Sequence, residues 1–72
     1  MTIPNIIKMA NQIGAFFEAM PDRDQAARDV AGHLQRFWEP RMRAALLDHV
    51  AERGDEELKP IVRAALQILR GA

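Results

Sequence analysis

The 72-residue chain contains no cysteine and no serine, and its only threonine is Thr2. Disulfides, thiolate metal sites and serine or cysteine nucleophiles are therefore excluded. Its two histidines, His33 and His49, are too few for a metal site without carboxylate ligands, and no HxxxH or ExxH spacing supplies them. There is no glycine-rich phosphate loop and no glycosidase-like carboxylate pair. We therefore expect a non-enzymatic chain that holds no metal or cofactor.

The chain has little charge imbalance and no long apolar run. Ten basic and ten acidic residues give a formal net charge of zero, whereas nucleic-acid binding depends on a basic surplus. No apolar run approaches the roughly 18–20 residues that span a membrane. The N-terminus, "MTIPNIIKMANQ", lacks the features of a signal peptide. We expect a cytoplasmic protein whose partner is neither a nucleic acid nor a membrane.

Helix-breaking residues are few and divide the chain into segments. Pro21, Pro40, Gly54 and Pro60 leave four stretches in which apolar residues recur every three or four positions. This pattern predicts helices over 3–20, 24–38, 40–53 and 56–70. The sequence therefore predicts one domain, 1–72, with an all-α fold: a small bundle of four short amphipathic helices.

Several residues are suited to the ends of these helices. Thr2 is a plausible N-cap for the first helix, and either Asp22 or Asp24 for the second. Gly54 is a natural stop for the third. Gly32 lies mid-helix on a polar face, where it is either simply tolerated or marks the close approach of another chain.

A chain of this size buries only about 60% of its unfolded surface. Without disulfides or a metal, either its helices pack unusually well or a partner completes the core. The first helix carries an apolar face that covers about half of its surface, which is wide enough to contact more than one neighbour.

The stretch "RFWEPRMR" at residues 36–43 concentrates aromatic and arginine side chains. Phe37 is equally compatible with the core and with a partner surface. For Trp38 and Arg43 we favour the partner surface, because tryptophan and arginine are enriched at interface hot spots. His33 and His49 are interpreted as border or core histidines with one hydrogen-bond partner each.

Three segments carry a resemblance to a known family: "KMANQIGAFF" (8–17), "DVAGHLQRFWEPRMRAALLDHV" (29–50) and "LKPIVRAAL" (58–66). Together they resemble the small delta subunit of the soluble, NAD-dependent, molybdenum-containing formate dehydrogenases of bacteria. The resemblance spans most of the chain. It implies membership of a cytoplasmic complex that oxidises formate to carbon dioxide and reduces NAD.

The resemblance also implies where the cofactors lie. The complex would carry a bis-molybdopterin guanine dinucleotide centre, iron–sulfur clusters and a flavin (FMN) on other subunits, and this chain would hold none. The large catalytic subunit is the implied partner, and the implied role is support of its assembly, cofactor loading or stability. Mapping the motif gives nine candidate interface residues: Asn11, Gln12, His33, Phe37, Trp38, Pro40, Arg41, Met42 and Arg43.

Within this set, we expect Trp38 to anchor in an apolar pocket of the catalytic subunit. Arg41 and Arg43 would pair with carboxylates or backbone carbonyls of that subunit. Two other classes remain open. One is a self-associating helical module, and the other is a nucleic-acid-binding helix–turn–helix with Arg41 and Arg43 near its recognition helix. The neutral net charge argues against the latter.

Overall fold

The structure is a computed structural model, and it describes residues 2–71. Within that range it contains four α-helices and no strand: α1 (Ile3–Phe17), α2 (Arg23–Phe37), α3 (Pro40–Arg53) and α4 (Pro60–Leu69). The predicted all-α bundle is confirmed. The helices form a compact unit with a radius of gyration of 11.0 Å, and α2 and α4 share the most extensive packing.

The predicted helix ends are largely as the structure has them. Thr2 Oγ1 accepts a hydrogen bond from the Asn5 amide at 3.4 Å, and Asp22 Oδ1 accepts one from the Gln25 amide at 3.0 Å. Gly54 ends α3 with a φ of 91°, a conformation that favours glycine. The capping predictions for Thr2, Asp22 and Gly54 are therefore confirmed.

Two boundaries differ from the prediction by more than one residue, and each lies near a proline. α1 ends at Phe17 rather than at residue 20, and Pro21 disfavours helical backbone at Met20. α4 begins at Pro60 rather than at residue 56. Lys59 is held extended, with a ψ of 149°, because the proline ring would clash with it in a helix. Residues 54–59 therefore form a loop.

All four helices contribute to one hydrophobic core. Its largest fully buried side chains are Ile6, Val30, Leu34, Leu46 and Val62. α3 is the least embedded helix, because Leu46 is its one fully buried residue. Among residues 2–71, no helix combines the length and apolar character needed to cross a membrane.

A glycine lets α1 and α4 approach closely, but it is not Gly32. A Cβ on Gly14 would lie 2.7 Å from Val62 Cγ2 and 3.0 Å from Ile61 Cγ2, so no larger residue fits without a shift of α4. A Cβ on Gly32 would meet only the tip of Arg36, at 3.5 Å. Within this chain, the close approach is therefore at Gly14.

Candidate partner-binding surface

Three of the four large hydrophobic residues that the structure exposes lie on α1 and α2. Met9, Phe16 and Phe37 are 37%, 77% and 70% exposed, and the fourth, Ile68, lies on α4. The first three surround half-buried residues of the same two helices. We call this surface the aromatic patch, and it consists of Met9, Ile13, Phe16, Phe17, His33 and Phe37.

The rings of the aromatic patch contact one another in a row from α1 to α2. Phe16 packs edge-on against Phe17, with ring centroids 5.1 Å apart, and Phe17 lies 6.4 Å from the imidazole of His33. His33 in turn lies 4.9 Å from Phe37. The Arg36 guanidinium lies 6.0 Å from the Phe37 ring centroid. The rings therefore form a continuous surface that spans α1 and α2.

The patch includes a groove of about 370 Å³ between α1 and α2. Its walls are lined by Met9, Gln12, Ile13, Phe16, Phe17, His33 and Trp38. The polar groups of this lining are those of Gln12, His33 and the indole N–H of Trp38. The groove is therefore suited to an apolar side chain of another molecule.

The expectation that Trp38 points toward a partner is wrong for the chain as it folds. Trp38 is only 7% exposed and belongs to the hydrophobic core. It is the C-cap of α2 and lies four residues after buried Leu34, and its ring packs into the core rather than into solvent. Phe37 lies four residues after half-buried His33, at the edge of the helix, and stays in solvent. The exposed aromatic of this corner is thus Phe37.

Arg43 also makes its hydrogen bonds to other residues of this chain. Its Nη1 donates to the carbonyl oxygens of Leu34, Gln35 and Trp38 at 3.2, 3.3 and 3.1 Å. These carbonyls lie at the C-terminal end of α2 or just beyond it, and that of Leu34 also accepts from the Trp38 amide at 3.2 Å. Arg43 therefore caps α2 from α3 and fixes the corner between them, rather than extending toward another subunit.

Asn11 joins α1 to the loop before α4. Its Nδ2 donates to the Glu57 carbonyl at 2.9 Å, and its Oδ1 accepts from the Lys59 amide at 2.9 Å. Lys59 is the N-cap of α4, and its side chain makes no capping hydrogen bond. A side chain 48 residues away thus supplies an acceptor at this helix start.

Arg63 is a structural residue that the sequence analysis missed. Its Nε donates to the carbonyls of Asp55 and Leu58, both at 3.0 Å, and its Nη2 donates to that of Glu56 at 3.3 Å. Together with Asn11, it satisfies successive carbonyls of the loop 54–59. Nothing in the local sequence signals this role, because it depends on how the loop folds back over α4.

Neither histidine has the hydrogen bond we expected for it. His33 lies in the aromatic patch, and His49 Nε2 is buried without a hydrogen-bond partner, 3.5 Å from Glu57 Oε1. Within residues 2–71, no group of three or more potential metal ligands is close enough to hold an ion.

The nine candidate residues are thus divided by the fold. Gln12, His33 and Phe37 lie at the patch or its groove, and Pro40 and Arg41 are exposed at the start of α3. The other four turn inward or are bonded within the chain, although buried Trp38 also forms part of the groove wall: Asn11, Trp38, Met42 and Arg43. Met9 and Phe16 were not among the candidates.

A family model described as NADH-dependent formate dehydrogenase delta subunit FdsD matches residues 5–66. The chain belongs to this delta-subunit family. The match includes α2 and α3 completely and most of α1 and α4. A delta subunit is part of a formate dehydrogenase complex, so other subunits are its partners. No curated protein and no solved structure matches the chain.

Proposed function

We propose that this delta subunit is a non-catalytic accessory subunit that binds the large molybdenum-containing catalytic subunit through the aromatic patch. The observation that carries the proposal is the exposure of Phe16 and Phe37, at 77% and 70%, beside an apolar groove. Contiguous exposed apolar surface on a small protein marks an interaction site more often than scattered single residues do. Binding would support the assembly, cofactor loading or stability of the catalytic subunit.

The patch has the composition of an interface centre. Aromatic residues and methionine are enriched in interface cores, where lysine and the acidic residues are depleted. The six residues of the patch include three phenylalanines and a methionine and no acidic or permanently cationic side chain.

In this proposal, the molybdopterin guanine dinucleotide centre, the iron–sulfur clusters and the flavin of the complex lie on other subunits. The sequence supports this assignment because a chain without cysteine offers no thiolates for an iron–sulfur cluster. The role of this chain is therefore one of recognition.

Co-purification tests the proposal. The tagged delta subunit is co-expressed with the other formate dehydrogenase subunits, and the eluate is analysed by size exclusion. We expect stoichiometric co-elution with the large catalytic subunit. Elution of the tagged chain alone, with an enzyme that still forms and is fully loaded with molybdenum, would contradict the accessory role.

Matched variants assign the binding face. Phe16→Ser and Phe37→Ser should each weaken co-elution by about tenfold or more, as truncation of an interface anchor does. Ile68→Ser removes an exposed hydrophobic residue of α4, outside the patch, and should leave co-elution unchanged. If Ile68→Ser weakens co-elution and the two phenylalanine variants do not, the binding face lies on α4 instead.

A further inference from the structure

We propose that the segment of the catalytic subunit that covers the aromatic patch carries a carboxylate, and that this carboxylate pairs with the exposed guanidinium of Arg36. An apolar side chain of the same segment enters the groove. The inference rests on the proposed function, because it concerns the same surface. It adds the chemistry of the partner segment: an apolar residue together with an aspartate or glutamate.

Within residues 2–71, Arg36 has no counter-ion. Its side chain is exposed in the last turn of α2, and each of the three ion pairs in this range involves another cation. Arg43 and Arg63 donate hydrogen bonds to carbonyls of their own chain, whereas Arg36 makes no such bond among the described residues. Its donors are therefore available to another molecule.

The Arg36 guanidinium lies beside the apolar surface. It is 6.0 Å from the ring centroid of Phe37, and Phe37 is 4.9 Å from His33, which lines the groove. A Cβ built on Gly32 would lie 3.5 Å from Arg36 Nη2, and apart from adjacent residues it would meet no other side chain within 4 Å. A partner that covers Phe37 thus reaches Arg36 without displacing another side chain.

Burial of Phe37 determines what Arg36 must meet. A partner that covers the ring also removes water from the guanidinium next to it, and a charge that loses water needs an opposite charge and hydrogen-bond acceptors. A carboxylate supplies both, because it accepts two parallel hydrogen bonds from the planar guanidinium.

The local charge also favours an acidic segment. Residues 36–43 include three arginines and one glutamate, although the chain as a whole has a net charge of zero. The aromatic patch itself contains no acidic residue. The corner beside the patch is therefore positive, and complementary charges guide a partner into register there.

Binding of Arg36 variants to the purified catalytic subunit tests the proposal. Arg36→Glu should raise the Kd by about tenfold or more, since it places like charges opposite one another. Arg28→Glu is the matched control, because Arg28 is also an exposed arginine of α2 but does not line the groove. It lies about 12 Å along the helix from Arg36, beyond the roughly 8 Å Debye length at physiological salt. The control should change the Kd by no more than about twofold.

Crosslinking identifies the carboxylate. A carbodiimide joins an amine to a carboxylate that touches it, and Arg36→Lys places an amine at this position. We expect mass spectrometry to find a crosslink from position 36 to an aspartate or glutamate of the catalytic subunit. Arg28→Lys should give no such crosslink from position 28. A complex of the Arg36→Lys variant that forms but yields no crosslink from position 36 would refute the proposal.

The pattern of variants separates this inference from the proposed function. If Phe37→Ser weakens binding but Arg36→Glu binds like the unsubstituted chain, the patch remains the binding face and the acidic segment is refuted. If Phe16→Ser and Phe37→Ser both bind normally, the patch is not the binding face and both proposals fail. Because a cation in the last turn of α2 is favourable for the helix, the melting temperature of each variant is also measured. Weaker binding by Arg36→Glu at an unchanged melting temperature supports the carboxylate pair, whereas weaker binding only where the chain has unfolded would assign Arg36 to the fold.

Discussion

Phe37 and Trp38 are adjacent in the sequence but have opposite environments, at 70% and 7% exposed, and this contrast gives the sharpest test of the fold. Trp38→Ala should destabilise the chain by about 3–5 kcal/mol, the usual cost of removing a large aromatic side chain from a core. A domain of 72 residues has roughly 4–11 kcal/mol of stability in total. The substitution therefore removes a large part of it and should lower the melting temperature by more than about 12 °C.

Phe37→Ala should change the free energy of unfolding by no more than about 0.5 kcal/mol, because the ring is already in water. It should nevertheless reduce binding of the catalytic subunit about tenfold or more, if the patch is the binding face. Urea unfolding followed by circular dichroism measures the first quantity, and co-elution of the purified proteins measures the second.

The result that would refute this reasoning is a Trp38→Ala variant that unfolds at the original urea concentration but no longer binds the partner. Trp38 would then be an exposed anchor, as the sequence alone suggested. If Trp38→Ala does not fold, Trp38→Phe retains most of the buried ring. We expect this variant to bind the partner normally while unfolding at a lower urea concentration.

Three further substitutions test the packing and the hydrogen bonds, each by urea or thermal unfolding. Gly14→Ala should destabilise the chain by about 1–3 kcal/mol, because the new methyl group would lie 2.7 Å from a methyl group of α4. Its control, Gly32→Ala, should stabilise the chain by up to about 1 kcal/mol; the opposite order would contradict the assigned close approach. Asn11→Ala should lower the free energy of unfolding by about 1–3 kcal/mol, because two hydrogen bonds are lost. It should also speed amide exchange at the start of α4, and an unchanged exchange rate would refute the capping role. Arg43→Met should lower the free energy of unfolding by about 1–3 kcal/mol, because it removes the side-chain donor from three carbonyls at the end of α2, whereas Arg41→Met should be neutral; equal effects would be evidence against the cap.

The helices were predictable because their signals are local. Apolar spacing, prolines and capping residues act within a few positions along the chain, and Asp22 and Gly54 do what their residue types favour. The start of α4 was misplaced because the acidic residues before it resemble a helix start, whereas Pro60 forces an extended residue immediately ahead of the helix.

The binding surface was only partly predictable, because exposure depends on which helices meet. Trp38 and Phe37 both lie near the apolar side of α2, and only the positions of the neighbouring helices decide which of them is covered. Asn11 likewise looks like an ordinary polar residue of α1 until the chain brings it to a loop 46 residues away. Motif resemblance identified the family but did not separate residues that hold the fold from residues that face outward.

The contacts between α1 and α4 also affect how quickly the fold forms. Gly14 packs against Val62, and Asn11 bonds to Lys59, so these contacts join residues 48 positions apart in the sequence. Contacts this distant in sequence form slowly, because a long loop must close before they stabilise anything. α1 also packs on α2 and α3, so α4 completes its cover rather than supplying all of it. We expect the start of α4 to become ordered after the corner between α2 and α3, where the hydrogen bond from Arg43 to Leu34 spans only nine residues.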